Sequence, residues 1–164
     1  QDKDIKVAFE EEFEINKIKE VERMGYFLKN GDFDNLFNLV GLVNQSDPSQ
    51  EYLKDAEEIF KYRYELDKSN SDYLYNIAIA QILQKKSFEA SKTLLKIQKI
   101  DFNNPNLYLA KLIINIYNFR PRKAEKNILI AKKLNKNQTL KTTIDTVNII
   151  SNILNLRLRS IINL

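Results

Sequence analysis

The chain has 164 residues, 43% of them hydrophobic, with three glycines, three prolines, no histidine and no cysteine. That is enough for one continuous core in one domain or one short array, and it excludes Cys/His zinc sites, thiol nucleophiles, disulfides and imidazole bases. The net charge of +4 hides a division: residues 1–67 carry 9 basic against 17 acidic side chains, and residues 68–164 carry 17 against 5.

Such asymmetry invites docking to an acidic partner or head to tail with another copy, and a solvated surface with no partner explains it as well. No run of 18 apolar residues occurs, so no transmembrane helix is expected. A start at Gln1 without Met or an apolar leader reads as a processed or truncated product, which leaves room for a removed leader or anchor upstream. The lack of cysteine leaves the redox compartment open.

Segment 1–32 begins with an acidic run, Glu10-Glu11-Glu12-Phe13-Glu14. Ile15, Ile18, Val21, Met24 and Leu28 then recur at spacings of three and four, which places them on one helix face. The helix is expected from about Ile5. Gly31 suits a left-handed C-cap and Asp32 the next N-cap. The acidic run reads as a solvated helix start, without the spacing of a calcium loop.

The second helix, 33 to about 44, is apolar nearly all round through Leu36, Phe37, Leu39, Val40, Leu42 and Val43, and is expected to be sandwiched between neighbours. Ser46-Asp47-Pro48-Ser49 is a turn, and Tyr52, Ala56, Ile59, Phe60, Tyr64 and Leu66 mark a third helix. Helices four and five follow at about 72–84 and 88–100, closing on Asp101-Phe102-Asn103-Asn104. Helices six and seven span about 105–117 and 121–134, each with proline in its first turn, where the missing N–H costs nothing. The basic turn Asn118-Phe119-Arg120-Pro121-Arg122 offers contact to phosphate or an acidic partner, and reads first as a plain turn.

A final helix covers 139–164. Leu140, Ile144, Val147, Ile150, Leu154, Leu158 and Ile161 form one stripe, and Ile149, Ile153, Leu156 and Leu164 a second. A helix apolar on two faces is buried on two faces. The second face is expected to be covered by the chain's own groove, another copy or a partner.

Ala56, Ala90 and Ala124 are 34 residues apart, and a fixed period of that size is the signature of stacked helical hairpins. Leu74-Tyr75-Asn76-Ile77-Ala78, followed by Ala90, Leu94 and Ile97, resembles the tetratricopeptide repeat, whose helix A ends an aromatic-x-Asn-Leu-Gly phrase and whose helix B reads Ala-x-x-x-Phe-x-x-Ala. Ala56 and Phe60 match helix B, with Arg63 departing from it; Ala124, Ile128 and Ala131 match it fully. Leu39-Val40-Gly41 and Leu109-Ala110 stand for helix A, and Lys68, Phe102 and Lys136 replace the closing proline.

The resemblance implies an all-α fold, an alpha-alpha superhelix: an N-terminal helix (1–32), hairpins at 33–70, 71–104 and 105–138, and a C-terminal capping helix (139–164). A second phase, in which the first two helices form a degenerate repeat of their own, stays open. The overall look is similar to tetratricopeptide proteins of low-GC bacteria such as spirochaetes, given the wealth of Lys, Asn and Ile.

What the family implies for function is a non-enzymatic protein–protein interaction scaffold, holding a partner protein in an assembly or envelope-maintenance complex. Periplasmic or membrane-associated placement is ranked just ahead of cytoplasmic. Concave-surface candidates are Asn38, Leu42, Tyr75, Ile79, Ile82, Lys111 and Asn115, with Ile149, Ile153 and Leu156 added from the last helix. Tyr75 and Lys111 are expected to be exposed, whereas Ile79 and Ile82 serve equally well as inter-repeat core. Too few Lys, Arg and Asn converge to form the family's clamp for C-terminal carboxylates.

The alternative is a self-associating homo-oligomeric module using the last helix. Nucleic-acid binding by the Lys-rich half ranks third, since no recognised motif accompanies the charge. No catalytic residues, cofactor or metal are expected: no phosphate loop, nucleophile elbow or HExxH is present, and Glu57 and Glu58 are adjacent on a helix and point apart.

Overall fold

The computed structural model describes residues 2–117 and 121–134, and among them the chain is all-helical. Seven helices are described: α1 (Asp2–Asn30), α2 (Phe33–Ser46), α3 (Glu51–Leu66), α4 (Asp72–Leu83), α5 (Ser87–Ile100), α6 (Pro105–Tyr117) and α7 (Pro121–Leu134). No described helix is long and apolar enough to cross a membrane. The capping helix expected over 139–164, with Ile149, Ile153 and Leu156, lies outside the described residues.

Local chemistry ends each helix. Gly31 has φ 73°, with Asp32 N–H donating to the Phe27 carbonyl (2.9 Å) and Gly31 N–H to that of Leu28 (3.4 Å). This is a Schellman end. Asp32 then caps α2, its Oδ1 accepting from Asn35 N–H (3.3 Å). The end of α4 repeats the pattern with Lys85 at φ 61°: Lys86 N–H donates to Gln81 (2.9 Å) and Lys85 N–H to Ile82 (3.0 Å).

The turns after α3 and α5 are copies of each other, 34 residues apart. Asp67 and Asp101 close their helices through N–H donation to Arg63 and Ile97 (3.0 and 2.8 Å). Asn70 and Asn104 then each donate backbone N–H to that aspartate's carbonyl (3.3 Å in both). The Asn70 and Asn104 side chains accept from the backbone N–H groups of Asp72 (3.0 Å) and Asn106 (3.1 Å). The period seen in the alanines therefore recurs as hydrogen bonds.

The chain divides into two compact units, 1–93 and 94–164, with the division inside α5. In the first, α4 is the central element: every residue from Leu74 to Gln81 is buried, and α1 and α3 both pack on it, with α2 and α3 also against α1. Val21, Met24 and Leu28 of α1, Leu53, Ala56 and Phe60 of α3, and Ala90 of α5 complete this core. In the second unit α6 packs on α7, with Leu107, Leu109, Leu112, Ile128 and Ala131 buried.

Two expectations are corrected. The first helix starts at Asp2 rather than about Ile5. The element apolar all round and held between neighbours is α4, not α2: α2 buries Phe33, Leu36, Leu39 and Val43 but leaves Phe37 and Leu42 exposed. The apolar count of α2 is high, yet only one helical stripe of it finds a neighbour.

Candidate functional site

The sequence-derived candidates do not converge. Tyr75 and Ile79 are 1% and 3% exposed and belong to the α4 core; the exposed ring expected at position 75 is corrected, because α1 and α3 close over α4 from both sides. Ile82 is half-buried, while Asn38 and Leu42 stand exposed on α2. Lys111 and Asn115 lie in the second unit and are tied down there. The Lys111 ammonium donates to Gln98 Oε1 and sits 5.3 Å from the centre of the Tyr108 ring, and burial holds its pKa below the usual lysine value. Asn115 donates to the Lys111 carbonyl (2.9 Å). Ile149, Ile153 and Leu156 lie outside the described residues.

What the fold does form is a cleft of about 440 Å³ in the first unit, where the C-terminal part of α1 passes the start of α4. Gly25 creates the crossing. A Cβ at this position would lie 1.9 Å from Asn76 Oδ1, so only a hydrogen atom fits between the α1 backbone and that side chain. Tyr26, Lys29 and Asn30 line the cleft from α1; Asn70, Asp72 and Tyr73 line it from the α3–α4 turn and α4.

Its charges are already paired. Lys29 meets Asp72 at 2.7 Å, and Glu22, also on the wall, meets Arg63 at 2.7 Å. Lys29 also stands 5.8 Å from the Tyr75 ring centre, and Tyr73 stacks on buried Phe60 with centroids 6.4 Å apart. Tyr26 remains 64% exposed. The amides are half used: Asn30 Nδ2 donates to the Tyr26 carbonyl (2.8 Å) and Asn70 Oδ1 accepts from Asp72. Among the described residues, Asn30 Oδ1 and Asn70 Nδ2 keep an acceptor and a pair of donors without protein partners.

A second polar group, on the α3–α4 interface, is structural. Glu57 has a side chain only 3% exposed. It accepts from Lys61 (2.5 Å), Lys86 (2.8 Å), Gln81 (3.0 Å) and Gln84 (2.8 Å), and Thr93 in turn donates to Gln81 Oε1 (2.7 Å). Burial pushes the carboxyl pKa up, and these four donors more than reverse it, holding the group at about 2. A carboxylate this well satisfied is a poor proton acceptor, and it serves packing rather than chemistry.

Gly25, Tyr26, Asn30 and Asn70 are not among the candidates read from the sequence. One signal was available: an isolated glycine inside a helical pattern marks a close approach. The amides carried no signal, since their place in the cleft depends on where α1 crosses α4. Compared with protein families, curated proteins and solved structures, the chain matches none, and the tetratricopeptide resemblance rests on its own residues.

Proposed function

We propose that the chain is a non-enzymatic scaffold of tandem tetratricopeptide-like hairpins, arranged as an alpha-alpha superhelix, that binds an extended segment of a partner protein in the α1–α4 cleft. One observation carries the reading: the cleft holds an unused amide acceptor and unused amide donors beside an exposed tyrosine, while its charges are internally paired. A peptide bond offers the matching donor and acceptor, and a tyrosine gives contact area at low entropic cost. The duplicated turns after α3 and α5 support the tandem arrangement. Placement in an assembly or envelope-maintenance complex belongs to the same proposal.

The test is selection of binders from a random peptide library, followed by amide NMR mapping of the selected peptide. The side-chain NH₂ signals of Asn30 and Asn70 are expected to shift, and Tyr26→Ala to weaken binding about tenfold or more, as for an aromatic anchor. Selected peptides that shift neither amide, and bind Tyr26→Ala as tightly as the parent, refute the assignment.

A further inference from the structure

A separate cleft of about 450 Å³ lies between α1, the α2–α3 turn and the first turns of α3, and it shares no lining residue with the α1–α4 cleft. Three carboxylates line it: Asp47, Glu51 and Asp55. Asp47 is engaged by the Lys17 ammonium and accepts from Ser49 Oγ (2.6 Å). Glu51 and Asp55 lie four residues apart on one face of α3, and neither has an ion-pair partner among the described residues. The cleft therefore carries two negative charges in excess of its own lysine.

Its floor supplies the independent observation. Tyr52 is 6% exposed, lines this cleft, and its hydroxyl has no hydrogen-bond partner. A buried hydroxyl without a partner loses its hydration for nothing in return, and the usual resolution is a ligand group or an ordered water. Burial first, and the Asp47 charge second, push the phenol pKa up to about 12, so it stays a neutral hydroxyl able to accept from a cation. Ammonium already suits the place: Lys17 Nζ lies 5.7 Å from the Tyr52 ring centre. Ile18 and Ile59 add apolar wall.

We infer that this cleft receives the ammonium or guanidinium end of a Lys or Arg side chain from a partner polypeptide. Glu51 and Asp55 neutralise the charge, the Tyr52 hydroxyl accepts one of its N–H bonds, and the two isoleucines cover the methylene stem, since such side chains bury their stems and charge only the tip. No group of three carboxylates among the described residues converges closely enough to ligate a metal ion, so the fit is to an organic cation. The inference does not depend on occupation of the α1–α4 cleft.

The experiment is a methyl NMR titration of the full chain, following Ile18 and Ile59, with the blocked tripeptide acetyl-Gly-Lys-Gly-amide against its norleucine counterpart and against spermidine. Saturable shifts are expected with the lysine peptide and none with norleucine. Glu51→Gln with Asp55→Asn is expected to abolish them. Tyr52→Phe is expected to weaken binding about tenfold, the loss of one hydrogen bond to a charged group, while its urea midpoint stays at or above the parent's. Equal shifts from lysine and norleucine, or lysine binding untouched by all three substitutions, overturn the site. Spermidine binding far more tightly than the lysine peptide overturns the polypeptide source in favour of a free polyamine.

Discussion

Removing the Glu57 charge tests whether the α3–α4 interface is held as described. The substitution is Glu57→Gln, which keeps the shape but leaves the Lys61 and Lys86 ammonium groups without their carboxylate. In the parent, the carboxyl is held at about 2 against an ordinary 4.5. At about 1.4 kcal/mol per pKa unit this corresponds to about 3 kcal/mol, and to about 2–3 kcal/mol once screening is allowed for, since both lysines are 40–52% exposed. The folded pKa is depressed, so this stabilisation is fully present above pH 4.5 and disappears as pH falls towards 2. Urea unfolding of both proteins, followed by helical circular dichroism from pH 7 down to pH 3, measures the difference. The parent should be the more stable by about 2–3 kcal/mol at pH 7, with roughly half of that gap closed by pH 3. Other carboxylates titrate equally in both chains and cancel. A gap that is constant across this range would falsify the account.

Two further outcomes follow from the same packing. Gly25→Ala should destabilise the fold by about 1–3 kcal/mol through overpacking against Asn76, although alanine is favoured over glycine in a helix by about 1 kcal/mol. In a double-mutant cycle with Asn76→Ala, urea unfolding should show the two costs to be less than additive; strict additivity would refute the contact. In the second unit, the Lys111 ammonium should titrate below 10.5 when followed by side-chain NMR, because burial disfavours its charge. Its charged form is penalised on folding, so that penalty is relieved as pH rises towards 10.5; a midpoint at or above 10.5 would contradict its burial.

Helix positions were legible because their signals are local. Pro105 and Pro121 open α6 and α7 where first-turn prolines are expected, and Gly31 with Asp32 ends one helix and begins the next. Period was legible too: Ala56 and Ala90, like Phe60, Leu94 and Ile128, are all buried. Exposure was not. Tyr75 looks amphipathic by type, and its burial follows from α1 and α3 both packing on α4, a fact of tertiary arrangement that residue spacing does not encode. The same applies to Leu42, whose helix has more apolar surface than its neighbours cover. The cleft amides and the unpartnered Tyr52 hydroxyl were further out of reach, since a free donor or acceptor is recognised only after every other partner is placed.

The two kinds of polar contact along the chain keep different histories. The turn that follows α3 is repeated after α5 with the same donors and acceptors, as expected of a segment copied whole. The Glu57 cluster has no such echo: 34 residues on stands Ser91, exposed and hydrogen-bonded only to its own helix at the Ser87 carbonyl (2.8 Å). Duplication thus supplies junctions that are alike, and a buried charge with four dedicated donors makes one of them unlike the next. That junction carries an address. Exchanging or inserting a 34-residue unit elsewhere would join compatible turns, but at the α3–α4 junction Glu57 and its partners would have to travel together.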